Sequence, residues 1–426
     1  MLDANRIVVK PEVSGRKHLR CCKHKRTRFL CVFCPAAETT SLALRAIKSP
    51  AKPCLSSFRV PSSSAFPTFA SSLLVSKPTE SNTMGAEVLQ PAFPPAVVGP
   101  KLKEPTRPTN RLPQTLIDEA RRVERTHFDP NKHLAIADPE KIYTMQEIGL
   151  GGQGISPVAA SSPFAIFTPE AVAQMRAEIF SEPVLQSCQY ASDFAKNMIR
   201  GYGPRLCPFI FDAWNCDRVL EAVSRVAGLE LVPAIEFEVG HINISINETT
   251  TELGAVETNA TYLEEDQSAF AWHRDSCAFV CVTMLSDCVG MVGGETAMRT
   301  GTGGIMKVRG PAMGTGVVMQ GRYIEHQAMK AKGGRERISM VTSFRPKSPL
   351  VRDETVLTGA RPISTRSSLY YQWSQYRLEV LEERLRDGSK RFRDRDRSGK
   401  PFDVAAAKEF LNLQKQFLEA TILELE

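Results

Sequence analysis

The sequence has no run of about 18 apolar residues, the minimum for a spanning helix, which argues against an integral membrane protein. Its cysteines show no framework spacing. Five of the eleven (Cys21, Cys22, Cys31, Cys34 and Cys54) crowd the first 54 residues and the other six are scattered. An odd, unpatterned set of this kind belongs to a reducing compartment. No internal repeat is present, and between residues 230 and 345 there is no helical periodicity.

Positive charge is scarce where a nucleic-acid binder would need it. Of 54 Lys and Arg residues, 14 lie in residues 1–83 against four acids (Asp3, Glu12, Glu38 and Glu80). That segment is +10, and residues 84–426 carry 40 basic against 43 acidic residues, a net of −3. The basic balance therefore belongs to the tail, and the body gives no electrostatic reason to expect nucleic acid.

The tail itself is Ser-rich, acid-poor and almost without apolar period. It fits a mitochondrial-type transit segment, a disordered tail, or a leader ahead of a physiological start at Met84. Cytoplasmic residence is expected, or mitochondrial if the tail is a transit segment. Cys31, Cys34 and His24 resemble half a zinc site, but no second pair completes it. Residues 84–112 form a linker rich in proline, including Pro91, Pro94, Pro95 and Pro100, semi-rigid and without core.

Residues 113–230 read as helical. Helices are expected at Leu116–Thr126, at Ala171–Phe180 behind the Thr168-Pro169 start, at Pro183–Ile199, and at Cys216–Ala227, capped by Asn215 and closed by Gly228. The Gly149–Gly154 stretch lacks the Lys-Ser/Thr of a phosphate loop and reads as a plain loop. From 231 to 346 the pattern changes to strand. Ile235–Val239 and Ile242–Ile246 alternate with period 2, in opposite phase about Gly240-His241, as a β-bulge would produce. Ala278–Leu285, Gly316–Gln320 and Arg337–Phe344 are further strands. Six to eight short strands without helices imply a sandwich or barrel. Residues 347–426 return to helix, at Ser368–Arg386 and Asp403–Leu423, joined by a basic loop at Lys390–Lys400.

Three pieces within the strand region carry chemistry. His273 and Asp275 are two apart, so on a strand they share a face. His326 follows an apolar strand, and Arg337 and Ser339 again share a face. Two imidazoles and a carboxylate leave coordination positions open, as non-haem Fe(II) requires. An arginine fork beside a hydroxyl suits a distant carboxylate. His127-Phe128-Asp129 is a second His-x-Asp, without a following His and Arg-x-Ser, and reads as a turn. His241, Asn243 and Ser245 project from the preceding strand, where a solvated face explains them equally well. Tyr202, Arg205 and Trp214 are weak candidates for a substrate mouth.

The order His273-x-Asp275, His326 after 53 residues, and Arg337-x-Ser339 after ten intervening residues resembles the Fe(II)/2-oxoglutarate-dependent dioxygenases (EC 1.14.11.-). The turn at Gly293-Gly294-Glu295-Thr296 is also similar. The resemblance covers residues 230–346. It implies an α+β fold with a double-stranded β-helix core, of jelly-roll or cupin-like type, flanked by N- and C-terminal helices. It implies His273, Asp275 and His326 as iron ligands, Arg337 and Ser339 as contacts of the 2-oxoglutarate C5 carboxylate, and O₂ as co-substrate, with ascorbate as an optional reductant. The expected reaction is hydroxylation or another oxidation of a C–H bond in a small organic molecule of specialised metabolism, releasing succinate and CO₂. Asp275 fills the position that a halogenating enzyme would leave vacant. The rivals are a cupin-like metal-binding or scaffold protein, a nucleic-acid- or protein-dealkylating oxygenase, and a metal-dependent hydrolase. No membrane or nucleic-acid partner is expected, and the oligomeric state is left open.

Overall fold

Alternating apolar residues across 231–346 form eight strands of four or more residues in a computed structural model of the chain. The structure describes residues 94–101, 112–246, 268–308, 312–332 and 334–426. The basic tail with Cys31, Cys34 and His24, and most of the Pro-rich stretch, lie outside the described residues. The eight strands are β1 (His241–Ile246), β2 (Ser268–His273), β3 (Phe279–Met284), β4 (Thr296–Arg299), β5 (Ile305–Val308), β6 (Thr315–Met319), β7 (His326–Met329) and β8 (Glu336–Pro346).

They divide into two antiparallel sheets. One, ten-stranded in all, has the central order β6-β3-β8-β1 and is extended at both ends by short strands from residues 142–199. The other has the order β5-β4-β7-β2. The larger sheet is two-faced because side chains alternate. Ile242, Ile244, Cys281, Ile338, Met340 and Phe344 pack on one side with the helical N-terminal part, among Phe180, Trp214 and Val223. His241, Asn243, Ser245, Val280, Val282, Arg337 and Ser339 line a cavity.

The helices that cover the first face start and stop where their side chains dictate. Thr168 accepts from the Ala171 N–H and Pro169 begins Pro169–Ile179, an N-cap followed by proline where no donor is needed. Asp217–Ala227 ends on Gly228 in the left-handed region. Its N-cap is Cys216 rather than the expected Asn215, whose amide instead donates to the Phe211 carbonyl.

Three further expectations differ from the structure. The helix expected at Pro183–Ile199 stops at Ser187, and Gln189–Tyr190 and Met198–Ile199 pair as a hairpin whose second strand joins β1. Pairing with an open sheet edge prevails there over local helical pattern. Ile235–Val239 is not a strand with a bulge. Glu236–Glu238 is a 3₁₀ turn, followed by Gly240 at φ 69°, a conformation that glycine adopts without steric cost. A Cβ on Gly240 would also strike the Tyr202 hydroxyl. The expected basic loop at 390–400 is mostly helix, because the first C-terminal helix runs Arg366–Arg397. The last, Val404–Leu423, is capped by Asp403, which accepts from the Ala406 N–H. Among the described residues no helix is long and apolar enough to cross a membrane.

Candidate metal centre

β2 ends at His273 and β7 begins at His326, and the antiparallel register sets these two residues opposite each other. Their ring centroids are 4.3 Å apart. His273 Nδ1 donates to the Ala271 carbonyl at 2.8 Å, and His326 Nδ1 to the Ile324 carbonyl at 2.9 Å. A carbonyl can only accept, so each ring carries a proton on Nδ1 and turns Nε2 away from that bond. Both Nε2 atoms face Asp275, at 3.4 Å from Oδ1 and 3.5 Å from Oδ2 respectively.

Asp275 is held by its backbone and by an empty volume beside it. Its N–H donates to the Gly321 carbonyl, and a Cβ on Gly321 would stand 1.8 Å from Asp275 Oδ2. Any side chain at 321 would therefore displace the carboxylate. Burial raises the Asp275 pKa, but the nearby imidazoles of His326, His273 and His241 outweigh it, and the group lies below the ordinary carboxylate range. Burial pushes His326 down to about 4 despite the attraction of Asp275, so its ring is neutral at pH 7.

One ligand atom from each of His273, Asp275 and His326 lies within 4.8 Å of the other two, the only such group among the described residues. Asp275 Oδ2 is buried without a hydrogen-bond partner. Two converging imidazole Nε2 atoms and an unsatisfied carboxylate oxygen fit a divalent transition metal. The Nδ1–carbonyl bonds are of the kind that orients histidines around a metal.

Arg337 and Ser339 lie on β8, across the same cavity of about 1050 Å³. Arg337 is 5% exposed. Its Nη1 donates to Ser339 Oγ at 3.2 Å, while Nε and Nη2 reach the Gly294 carbonyl only at 3.4 Å. It forms no ion pair among the described residues. Burial depresses its pKa, and arginine nevertheless stays charged. The result is a buried cation facing the cavity, with none of the cavity's carboxylates (Asp193, Glu238 and Asp275) in an ion pair with it.

His241, Asn243 and Ser245 line this cavity. Trp214 does not: it is buried in the core, with Nε1 against the Met340 sulfur. Tyr202 is also buried, its hydroxyl on the Gly240 carbonyl, and Arg205 is exposed on a short helix. The second His-x-Asp is remote in role, for Asp129 caps the helix Pro130–His133.

Sequence reasoning missed Arg200 and Glu238. Arg200 Nη2 pairs with Glu238 Oε1 at 2.5 Å, Ser343 donates to Glu238 Oε2, and Arg200 Nη1 donates to His241 Nδ1 at 3.3 Å. The last contact puts the His241 proton on Nε2, which is buried without a partner. Burial, followed by the Arg200 charge, holds the His241 pKa well below its usual value. The Glu236-Phe237-Glu238 run was the one available signal; nothing local marks Arg200.

No protein-family model matches the chain. No curated protein matches it. Solved structures to which it is similar include a prolyl-4-hydroxylase of Pseudomonas putida, at 16% identity over 42% of this chain and 88% of that one, TM-score 0.29. Another is an oxidoreductase of the 2OG-Fe(II) oxygenase family from Burkholderia pseudomallei, at 17% identity over 32% and 56%, TM-score 0.24. A third is AviO1 from Streptomyces viridochromogenes Tue57, at 13% identity over 45% and 90%, TM-score 0.30.

Proposed function

We propose that the chain is an Fe(II)- and 2-oxoglutarate-dependent oxygenase that oxidises a C–H bond of a small organic substrate. The observation that carries this reading is the placement of Arg337, buried and without a carboxylate partner, on the same cavity as the His273–Asp275–His326 group. A metal site alone would fit a hydrolase or a scaffold, but neither explains an uncompensated guanidinium beside it. Buried charges are otherwise paired, so the cavity is built for an anion.

The strand order supports the same reading. In chain order, β1, β3, β6 and β8 go to one sheet and β2, β4, β5 and β7 to the other, with orders β6-β3-β8-β1 and β5-β4-β7-β2. That order supports a double-stranded β-helix of jelly-roll type, and the reading takes residues 231–346 as its core, 113–230 and 347–426 as flanking helical parts, 84–112 as linker and 1–83 as tail.

His273 Nε2, His326 Nε2 and the Asp275 carboxylate would hold Fe(II), which supplies O₂ activation when bound, with 2-oxoglutarate oxidised to succinate and CO₂. Arg337 would grip the C5 carboxylate through its fork while Ser339 donates its hydroxyl. The charge-assisted pair would neutralise a cation that is otherwise desolvated. His241, with Nε2–H directed by Arg200, would donate to an acceptor in the cavity. The net −3 of the body supports a small-molecule substrate over nucleic acid.

The test is succinate formation from 2-oxoglutarate with Fe(II) present or omitted, with iron content measured on the same samples. His326→Ala is expected to abolish both iron binding and succinate formation while the circular dichroism spectrum is unchanged. Full turnover in that variant would overturn the assignment.

A further inference from the structure

The C-terminal helices carry an apolar face that no described residue covers. On Arg366–Arg397 the packed side holds Leu369, Trp373, Arg377 and Val380. Tyr371, Leu378 and Leu385, seven residues apart, are 78%, 58% and 43% exposed. On Val404–Leu423 the packed side holds Ala407, Gln414, Phe417 and Thr421. Val404, Leu411 and Leu418, again seven apart, are 57%, 58% and 39% exposed, and Ile422 is 66% exposed. Scattered surface leucines are ordinary, but two heptad stripes on neighbouring helices are the pattern of a helix seam.

The stripes face the same way. Arg377 lies over the Phe417 ring at 3.4 Å, which marks where the helices touch. Leu378 and Leu418 each follow that contact by one residue, so each is rotated about 100° from it. The helices run antiparallel, and an equal rotation in the chain sense carries both stripes to one side of the hairpin. Together the seven side chains offer roughly 750 Å², close to what one partner contributes to a standard interface.

The borders are charged in a self-complementary way. Glu379, Glu382 and Arg386 edge the stripe of the longer helix, a net of −1, and Lys408, Lys415 and Glu419 that of the shorter, a net of +1. Glu382 and Lys415 are already in exposed i,i+4 pairs with Arg386 and Glu419, which hold them only weakly. A two-fold axis would lay the acidic border of each hairpin on the basic border of the other.

We propose that this face binds the same face of a second copy of the chain, each long helix against the partner's short one, closing a four-helix bundle. Sedimentation velocity on the full chain is expected to show a dimer. Leu378→Glu with Leu411→Glu is expected to weaken association by about 100-fold and to leave the helical circular dichroism signal intact. Glu382→Lys alone is expected to lower the dimer fraction, and adding Lys408→Glu and Lys415→Glu to restore it. A wild-type chain that stays monomeric at high micromolar concentration overturns the proposal. So does a dimer indifferent to the leucine variants, or a charge swap without rescue. A monomer that floats with phosphatidylserine vesicles assigns the face to a membrane surface instead, and one that dimerises only on removal of residues 1–83 assigns it to the tail.

Discussion

Arg377 and Arg337 are both buried, at 2% and 5% exposure, yet their surroundings are opposite. Arg377, between the C-terminal helices, donates to Thr421 Oγ1 at 2.8 Å and to the Phe417 carbonyl at 3.1 Å, lies 3.7 Å from the Asp353 carboxylate, and stacks on Phe417 and Trp373. Arg337 has one hydroxyl, a carbonyl at long range, and an open cavity. The first guanidinium is consumed by the fold and the second is left over. The difference separates a charge that holds structure together from a charge that the fold leaves unpaired, and it does so without reference to sequence motif.

The comparison is most exposed to failure in stability measurements. Arg377→Met should destabilise the chain by about 3 kcal/mol, because it removes the cation beside the buried Asp353 carboxylate, which keeps only the Tyr376 hydroxyl and the Thr355 N–H, and leaves the Phe417 carbonyl without that donor. Urea unfolding with an unchanged slope and a lower midpoint would show this. Arg337→Gln should change stability by no more than about 1 kcal/mol, in either direction, because no ion pair is lost. It should instead weaken 2-oxoglutarate binding by roughly 2–5 kcal/mol, with iron retained. Arg337→Lys should recover only part, since a point charge cannot replace the fork. Thermal unfolding with and without 2-oxoglutarate reads both quantities, for the stabilisation by ligand should vanish in the Gln variant. Equal losses of stability at the two arginines would erase the distinction.

A smaller effect probes the other end of the cavity. Gly321→Ala should lower iron affinity about 10- to 100-fold, the usual consequence of disturbing a contact behind the ligands, because the new methyl group and Asp275 Oδ2 cannot occupy the same place. A competition titration against a chelator measures it. The smallest effect is none: His127→Ala should alter neither iron content nor succinate formation, since Asp129 beside it is engaged in a helix cap.

What could be read in advance follows from how far apart the interacting residues are. His273 ends a strand and Asp275 follows it in the adjoining loop, and Arg337 and Ser339 share a strand face, so spacing of two was enough to group each pair. That His273 and His326 meet needed only the expectation of adjacent strands. The Arg200–Glu238–His241 cluster joins two segments about forty residues apart through side-chain contacts, and no local pattern marks Arg200. The stretch after Ser187 misled because its pairing partner, β1, is some fifty residues away. The 390–397 stretch misled through composition: Arg and Lys are good helix formers, and Asp387 with Arg391 supplies an i,i+4 pair.

The register of β2 against β7 has a consequence for how the chain finds its native state. Side chains alternate across a strand, so a slip of one residue would turn His326 to the opposite face and leave His273 alone. β7 is only four residues long, and its pairing is irregular just beyond His326, so its hydrogen bonds discriminate weakly between alignments. A divalent ion gripping both rings would recognise one alignment alone. Refolding would then have an internal proofreading step, in which metal present during collapse selects the correct strand pairing and amide protons of β7 become the slowest in the smaller sheet to exchange.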